Sequence, residues 1–98
     1  MEKEAEKAKN VRRAAKSAFT QGINTTQLLL DAKRLPSEIH GEYEKVKVMH
    51  ANLIKNHEAH TMFLSEKEYP KAENWMEECS FKFVDFLSVL IITAKVTP

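Results

Sequence analysis

The chain has 98 residues, 43% of them hydrophobic and 30% charged, and its formal net charge at pH 7 is +1. This length suits one core, so residues 1–98 are predicted to form a single helical domain, and the composition excludes an intrinsically disordered chain. A net charge this close to zero argues against a protein that binds nucleic acid through bulk electrostatics.

The predicted fold is an all-α, three-helix up-down antiparallel bundle with long helices. Two glycines and three prolines provide little turn chemistry, which favours a few long elements. The first helix is predicted over residues 2–34, because apolar residues recur there at intervals of three or four. This stripe comprises Ala8, Val11, Ala15, Phe19, Ile23, Thr26 and Leu30.

A second helix is predicted over residues 36–64. Pro36 disfavours a helical conformation at Leu35 and suits the first turn of the helix that follows. The connection is therefore short, which makes the first two helices antiparallel neighbours. The inner seam of the second helix comprises Ile39, Tyr43, Val46, His50, Leu53, His57, His60 and Leu64.

The third helix is predicted over residues 70–94, after a turn at 65–69. Two signals compete for its start, because Ser65 and Glu68 fit a capping box whereas Pro70 fits the first helical position. The expected core of the bundle comprises Phe19, Ile23, Leu30, Ile39, Tyr43, Val46, Leu53, Leu64, Trp75, Cys79 and Phe83.

Three histidines on the seam of the second helix, His50, His57 and His60, raise the question of a functional cluster. No metal site is predicted, because the seam offers no carboxylate and a third ligand would have to come from another helix. The favoured interpretation is that the rings pack their carbon faces at the edge of the core. Protonating buried imidazoles opposes packing, so we predict a loss of stability between about pH 7 and 5.

A basic turn in the first helix supports an alternative function, that of a nucleic-acid-associated helical module. Lys9, Arg12, Arg13 and Lys16 lie close together there and are able to contact phosphates. No aromatic residue is interleaved with them to stack on bases, so a solvated face is the favoured interpretation. The acidic residues at 66–78 also allow an intramolecular match or a head-to-tail contact between copies.

From residue 81 onward the third helix is more apolar than one face of a three-helix bundle is able to bury. This excess predicts a surface for a protein partner, and a homo-oligomer is the favoured assembly. The expected partner-binding residues are Phe81, Val84, Leu87, Leu90 and Ile91.

The sequence contains no recognisable catalytic motif. There is no nucleophile elbow and no glycine-rich phosphate loop, so no enzyme activity, no cofactor and no small-molecule substrate is predicted. Cys79, the only cysteine, is expected in the core, and it favours a reducing, intracellular and cytoplasmic setting. Asp85 interrupts the apolar C-terminal run, which is shorter than the ~18–20 residues of a membrane span, so no span is predicted.

Four local patterns occur in order along residues 10–86. They are Arg12-Arg13 with Phe19-Thr20, Asn24 and Leu28-Leu29-Leu30; then Ile39, Tyr43 and Val46; then His57-Glu58 with Met62-Phe63-Leu64; and finally Ala72-Glu73-Asn74-Trp75-Met76-Glu77-Glu78. In this order they resemble the N-terminal helical region of BEL/Pao-type retrotransposon polyproteins and related invertebrate sequences.

The resemblance implies a Gag-like structural region, helical and non-enzymatic, that acts in self-assembly or as a scaffold. It carries over no catalytic residue. The chain departs from the pattern because it has no Cys/His knuckle and no aspartic-protease motif, and because His60 stands where an aromatic residue is more usual. The expected function is therefore a non-enzymatic helical interaction or assembly module.

Overall fold

The computed structural model of the protein describes residues 2–95, and this part of the chain forms three α-helices without any strand. They are α1 (Glu2–Asp31), α2 (Pro36–Thr61) and α3 (Tyr69–Ala94). The prediction of an all-α three-helix bundle is confirmed. Of the three pairs of helices, α1 and α2 pack most closely, and the described bundle measures 48 × 21 × 18 Å.

The first helix ends at Asp31, three residues before its predicted end, because a left-handed cap closes it. Lys33 has a φ of 55° and donates its backbone N–H to the carbonyl of Leu30. Arg34 donates its backbone N–H to the carbonyl of Leu29 at 3.0 Å. This pair of hydrogen bonds is a Schellman motif, which satisfies the last helical carbonyls and turns the chain toward α2.

The second helix begins at Pro36 as predicted, but it ends at Thr61 instead of residue 64. Tighter hydrogen bonds end it, since the N–H of Phe63 donates to the carbonyl of His60 at 3.0 Å. The N–H of Leu64 donates in the same way to the carbonyl of Thr61, so the last turn has 3₁₀ geometry.

The third helix starts at Tyr69, one residue before the predicted start, and both of the competing signals are used. Ser65 and Glu68 form the capping box, in which the Ser65 hydroxyl donates to Glu68 Oε1 at 2.9 Å. The backbone N–H of Glu68 in turn donates to Ser65 Oγ at 3.3 Å. Pro70 has no N–H to donate, so the turn after Ser65 does not run into α3 as one uninterrupted helix.

Every residue of the expected core is buried or partly buried. Of the predicted core residues, the fully buried ones are Phe19, Ile39, Tyr43, Val46, Leu53 and Cys79. The partly buried ones are Ile23, Leu30, Leu64, Trp75 and Phe83. The buried residues that the expected core did not include are Ala15, Gly22, Thr26, His57, His60, Ala72, Met76, Phe86 and Leu90.

Gly22 is the point of closest approach between α1 and α2. A Cβ atom there would lie 2.9 Å from Val46 Cγ2 and 3.0 Å from Met49 Sδ, so only a glycine fits this crossing without displacement. One turn on, Thr26 is completely buried and its hydroxyl donates to the Gly22 carbonyl at 2.8 Å. The small residue and the satisfied hydroxyl together let α1 run unbroken past its contact with α2.

Within the described residues, no helix combines the length and apolar character that crossing a membrane requires.

Candidate functional site

The exposed apolar residues of α3 form the first candidate surface. Phe81 is 59% exposed, Val84 54% and Ile91 40%, while Leu87 is partly buried. Leu90 does not belong to this surface, because it is completely buried in the core. The predicted inclusion of Leu90 was wrong, since it lies one turn from Phe86 on the inward face of the same helix.

Four residues define what we call the α3 stripe, namely Phe81, Val84, Ser88 and Ile91. Their spacing alternates three, four and three, which places them along one side of the helix. All four are exposed, and the Ser88 hydroxyl donates to the Val84 carbonyl at 2.9 Å. Continuing the same spacing reaches Glu77 at one end. At the other end Lys95 follows the last helical residue in a left-handed cap, with φ of 53°, so the stripe has an acidic and a basic end.

The three histidines of α2 lie against different partners. His57 is only 3% exposed, and its Nε2 lies 3.1 Å from Glu73 Oε1 on α3. Its ring also lies against Trp75, with the ring centroids 5.8 Å apart. The other ring nitrogen, Nδ1, is buried and has no hydrogen-bond partner among the described residues.

His60 is 7% exposed, and its Nδ1 is likewise buried without a partner in the described part of the chain. Burial lowers the pKa of His60, and the positive charges of Arg12 and Lys9, together with neighbouring His57, lower it further. The carboxylate of Glu68 acts in the opposite direction. His60 is therefore held neutral at the edge of a cationic region.

His50 packs as an aromatic ring. It lies parallel to Phe83, with centroids 4.3 Å apart and an interplanar angle of 1°, and it is tilted against Phe19 at 5.5 Å. Its Nε2 is 3.5 Å from the Ser80 hydroxyl oxygen. Burial lowers the pKa of His50, since the charged imidazolium is less well solvated between two phenyl rings than in water.

The structure divides the basic turn of α1 into two pairs. The Arg12 guanidinium carbon lies 4.2 Å from the centroid of the Trp75 ring, and Lys16 Nζ lies 5.4 Å from it. Both distances permit cation–π attraction. Lys9 and Arg13 are exposed, so only half of the predicted nucleic-acid-binding residues stand clear of the bundle.

Arg12 is partly buried, and its Nε has no hydrogen-bond partner among the described residues. Burial lowers the pKa of its guanidinium, and the neighbouring Arg13 charge acts in the same direction. None of the ion pairs in the described part of the chain includes Arg12. The contact of Arg12 with the described residues is therefore its cation–π attraction to Trp75, and no acid neutralises its charge there.

The basic turn and the histidine seam meet in a groove that the sequence did not predict. This opening, which we call the Trp75 groove, has a volume of about 490 Å³. Its lining comprises Lys9, Arg12, His60, Leu64, Glu68, Lys71, Ala72 and Trp75. The one feature of the sequence that pointed to this groove was Trp75, a large amphipathic side chain. The residues that surround it could not be predicted, because they depend on how the three helices pack together.

The described residues form neither a metal-binding cluster nor a reactive cysteine site. No group of three or more His, Cys, Asp and Glu side chains comes together there in a way that would hold a metal ion. Cys79 is a small buried core residue as predicted, and burial raises the pKa of its thiol. A thiol that is buried and protonated is a poor nucleophile.

No protein-family model matches the chain, and neither the curated proteins nor the solved structures contain a significant match to it. The resemblance to BEL/Pao-type polyproteins therefore stays a prediction that rests on the residue pattern alone.

Proposed function

We propose that this protein is a non-enzymatic helical assembly module that pairs with a second copy of itself through the α3 stripe. The observation that supports the proposal is the exposure of three large apolar side chains, Phe81, Val84 and Ile91, on one side of one helix. Single exposed apolar residues are normal on a protein surface, whereas several of them along one side of a helix are typical of an interface.

The pattern of the stripe favours a second copy as the occupant. In an antiparallel pairing of two α3 helices, Phe81 of each copy faces Ile91 of the other. The same register sets Val84 against Ser88 and brings Glu77 beside Lys95. Apolar residues thus meet apolar or small residues, and at each end of the contact an acidic residue meets a basic one. The surface is therefore self-complementary, as an isologous two-fold contact requires.

The size of the stripe predicts a reversible dimer. From Glu77 to Ala94, the last residue of α3, the contact spans about 26 Å of helix at about 1.5 Å per residue. A row of this length buries less surface than the roughly 1,200–2,000 Å² of a standard stable interface. We therefore expect a monomer–dimer equilibrium that depends on protein concentration.

The proposed role also gives the family resemblance a physical meaning. A Gag-like scaffold acts by weak contacts between copies, and a small bundle with one self-complementary face provides one such contact. We accordingly propose a retroelement-derived scaffold region as the specific form of this assembly module.

Sedimentation velocity over a wide range of protein concentration tests the proposal. The unchanged chain should show a reversible dimer, and Val84→Lys should weaken it at least about tenfold, because the two-fold contact would bury the new charge twice. Val48→Lys is the matched control, since Val48 is a 68% exposed valine on α2, outside the stripe. A monomer at every concentration, or an equal loss in the control, would refute the proposal.

The predicted antiparallel register has its own test. Glu77→Lys places like charges at both ends of the contact and should weaken the dimer severalfold, consistent with about 0.2–1 kcal/mol for an exposed pair. Adding Lys95→Glu to the same chain should restore the original affinity. A double variant that is no tighter than the single one contradicts this register.

A further inference from the structure

We propose that the Trp75 groove is a binding site for an oxyanion, a carboxylate or phosphate group, with Arg12 as its main contact. This inference is independent of the self-association described above, because the groove lies between α1, the end of α2 and the start of α3. The α3 stripe contributes no residue to the lining of the groove.

The charge of Arg12 is the main electrostatic reason for an anion to bind in the groove. Its side chain is partly buried and lines the groove, yet it forms no ion pair with any described residue. Charged groups that lose water are normally paired, since an unpaired one is costly. An anion in the groove would supply the missing partner, and a planar guanidinium is suited to hold two oxygens at once.

The Arg12 side chain is already held in place by Trp75. Its guanidinium lies 4.2 Å from the Trp75 ring centroid, and the Trp75 ring in turn lies against His57. His57 contacts Glu73 of α3 at 3.1 Å, so the tryptophan is supported from α2 and α3. A preorganised cation loses little conformational freedom when a ligand binds, which favours affinity.

The charged residues that line the groove favour an anion. Its lining contributes three cations, Lys9, Arg12 and Lys71, and one acid, Glu68. Glu68 already accepts the Ser65 hydroxyl proton at 2.9 Å in the capping box. Lys71 also belongs to the first turn of α3, where the helix dipole is positive, so the groove attracts negative charge.

Several buried nitrogen atoms at this end of the bundle have no hydrogen-bond partner among the described residues. Three buried nitrogens without partners among the described residues, Arg12 Nε, His57 Nδ1 and His60 Nδ1, come from this one end of the bundle. Buried polar atoms are nearly always satisfied, so each unsatisfied one calls for an explanation. Since the groove contains both Arg12 and His60, a bound oxyanion with its waters is a chemically suitable partner for them.

Fluorescence of Trp75 provides a direct test, because it is the only tryptophan in the chain. The full chain is titrated with inorganic phosphate and, separately, with succinate, while sodium chloride keeps the ionic strength constant. We expect a saturable change in emission and a higher melting temperature with the anion that binds. A response to phosphate alone or to succinate alone identifies which oxyanion the groove prefers.

Substitutions then locate the site. Arg12→Gln should weaken binding at least about tenfold, the scale of one charged hydrogen bond. Lys7→Gln is the matched control, with the same loss of charge on the same helix at an exposed position outside the groove, and it should change affinity less than about twofold. Glu68→Gln should tighten binding, because it removes the one acid of the lining.

Two further variants keep the test decisive. Lys71→Gln lies at the exposed rim, so it should fold normally and still weaken binding severalfold even if Arg12→Gln is unstable. Val84→Lys, which breaks the proposed dimer, should bind the anion as the unchanged chain does. An identical response to chloride, or an equal loss in Lys7→Gln and Lys71→Gln, would overturn the site.

Discussion

At the scale of single residues, Gly22 and Gly41 make a matched pair. Both lie inside helices, but a Cβ at Gly22 would meet Val46 Cγ2 at 2.9 Å, whereas nothing lies within 4 Å of a Cβ at Gly41. Val46 is completely buried and has no room to withdraw. The same substitution should therefore have opposite effects at the two positions.

We predict that Gly22→Ala lowers the free energy of unfolding by about 1–3 kcal/mol, because overpacking exceeds the gain in helix propensity. Gly41→Ala should raise it by about 0.5–1 kcal/mol, since alanine favours the helix and meets no obstacle. Urea unfolding of the three proteins measures both effects. If both variants are stabilised, the contact between α1 and α2 at Gly22 is looser than the distances indicate.

His60 and His50 determine the expected response to acid. Burial lowers the pKa of both groups in the folded state, whereas an unfolded histidine titrates near about 6.5. The unfolded chain therefore binds more protons as the pH falls below that value. The stabilising contribution of each neutral ring is fully present above about pH 6.5 and is lost as the pH falls toward the lower folded pKa.

We predict that the free energy of unfolding decreases between about pH 7 and 5. Around His60 the charges of Arg12 and Lys9 add to the cost of protonation, and only Glu68 offsets it. His60→Gln should make the decrease smaller, because it removes one of the two rings whose pKa is lowered by burial. Urea unfolding at several pH values is the measurement, and a stability that does not vary with pH would contradict the prediction.

At the scale of the elements, the starts of α2 and α3 were predicted more accurately than the ends of α1 and α2, because a proline lies at or next to each of these starts. The starts at Pro36 and Tyr69 agree with prediction within one residue, because a missing N–H restricts the backbone locally. The ends of α1 and α2 each come three residues early. Neither helix end is followed by a glycine, and the spacing of apolar residues continues past both ends. The positions of the two caps were therefore not predictable from the sequence pattern.

The cap of α1 gives a prediction of its own. Lys33 adopts a left-handed conformation, with φ of 55°, which costs a residue with a side chain about 1–2 kcal/mol. Lys33→Gly should raise the free energy of unfolding by about 0.5–1 kcal/mol, after allowance for the greater freedom of glycine in the unfolded chain. Thermal unfolding measures it, with Lys33→Ala as a control that should show no such gain.

At the scale of the whole molecule, the apolar excess of α3 is divided between two faces. Phe86 and Leu90 point into the core, while Phe81, Val84 and Ile91 are exposed. Shortening the chain to end near Phe86 would remove Leu90 and damage the core, so it does not test self-association. Substitutions on the exposed face do, which is why the proposed experiments use them.

The shape of the assembly offers a second readout of the proposed dimer. One copy is 48 Å long. Two copies joined side by side through antiparallel α3 helices should extend to about 65–70 Å, given a rise of about 1.5 Å per residue and the position of the stripe near one end. Small-angle X-ray scattering measures this length, and a doubled length would indicate a head-to-tail contact instead.

The pairing of helices explains why the fold was predictable and the groove was not. The short connection at Leu35 makes α1 and α2 antiparallel, which already brings Arg12 toward His60. Nothing in the apolar pattern states on which side of that pair α3 returns, since either hand of a three-helix bundle buries the same seams. The position of Trp75, and with it the groove, depends on that choice.

The buried thiol of Cys79 is a natural reporter of how often the bundle opens. The side chain is 3% exposed and burial raises the pKa of its thiol, so we expect a thiol-specific reagent to react when α3 separates from the bundle. Because α1 and α2 pack together more closely than either packs with α3, that separation need not wait for the other two helices to part. The rate of labelling would then report how often the third helix detaches, in a chain that carries no substitution.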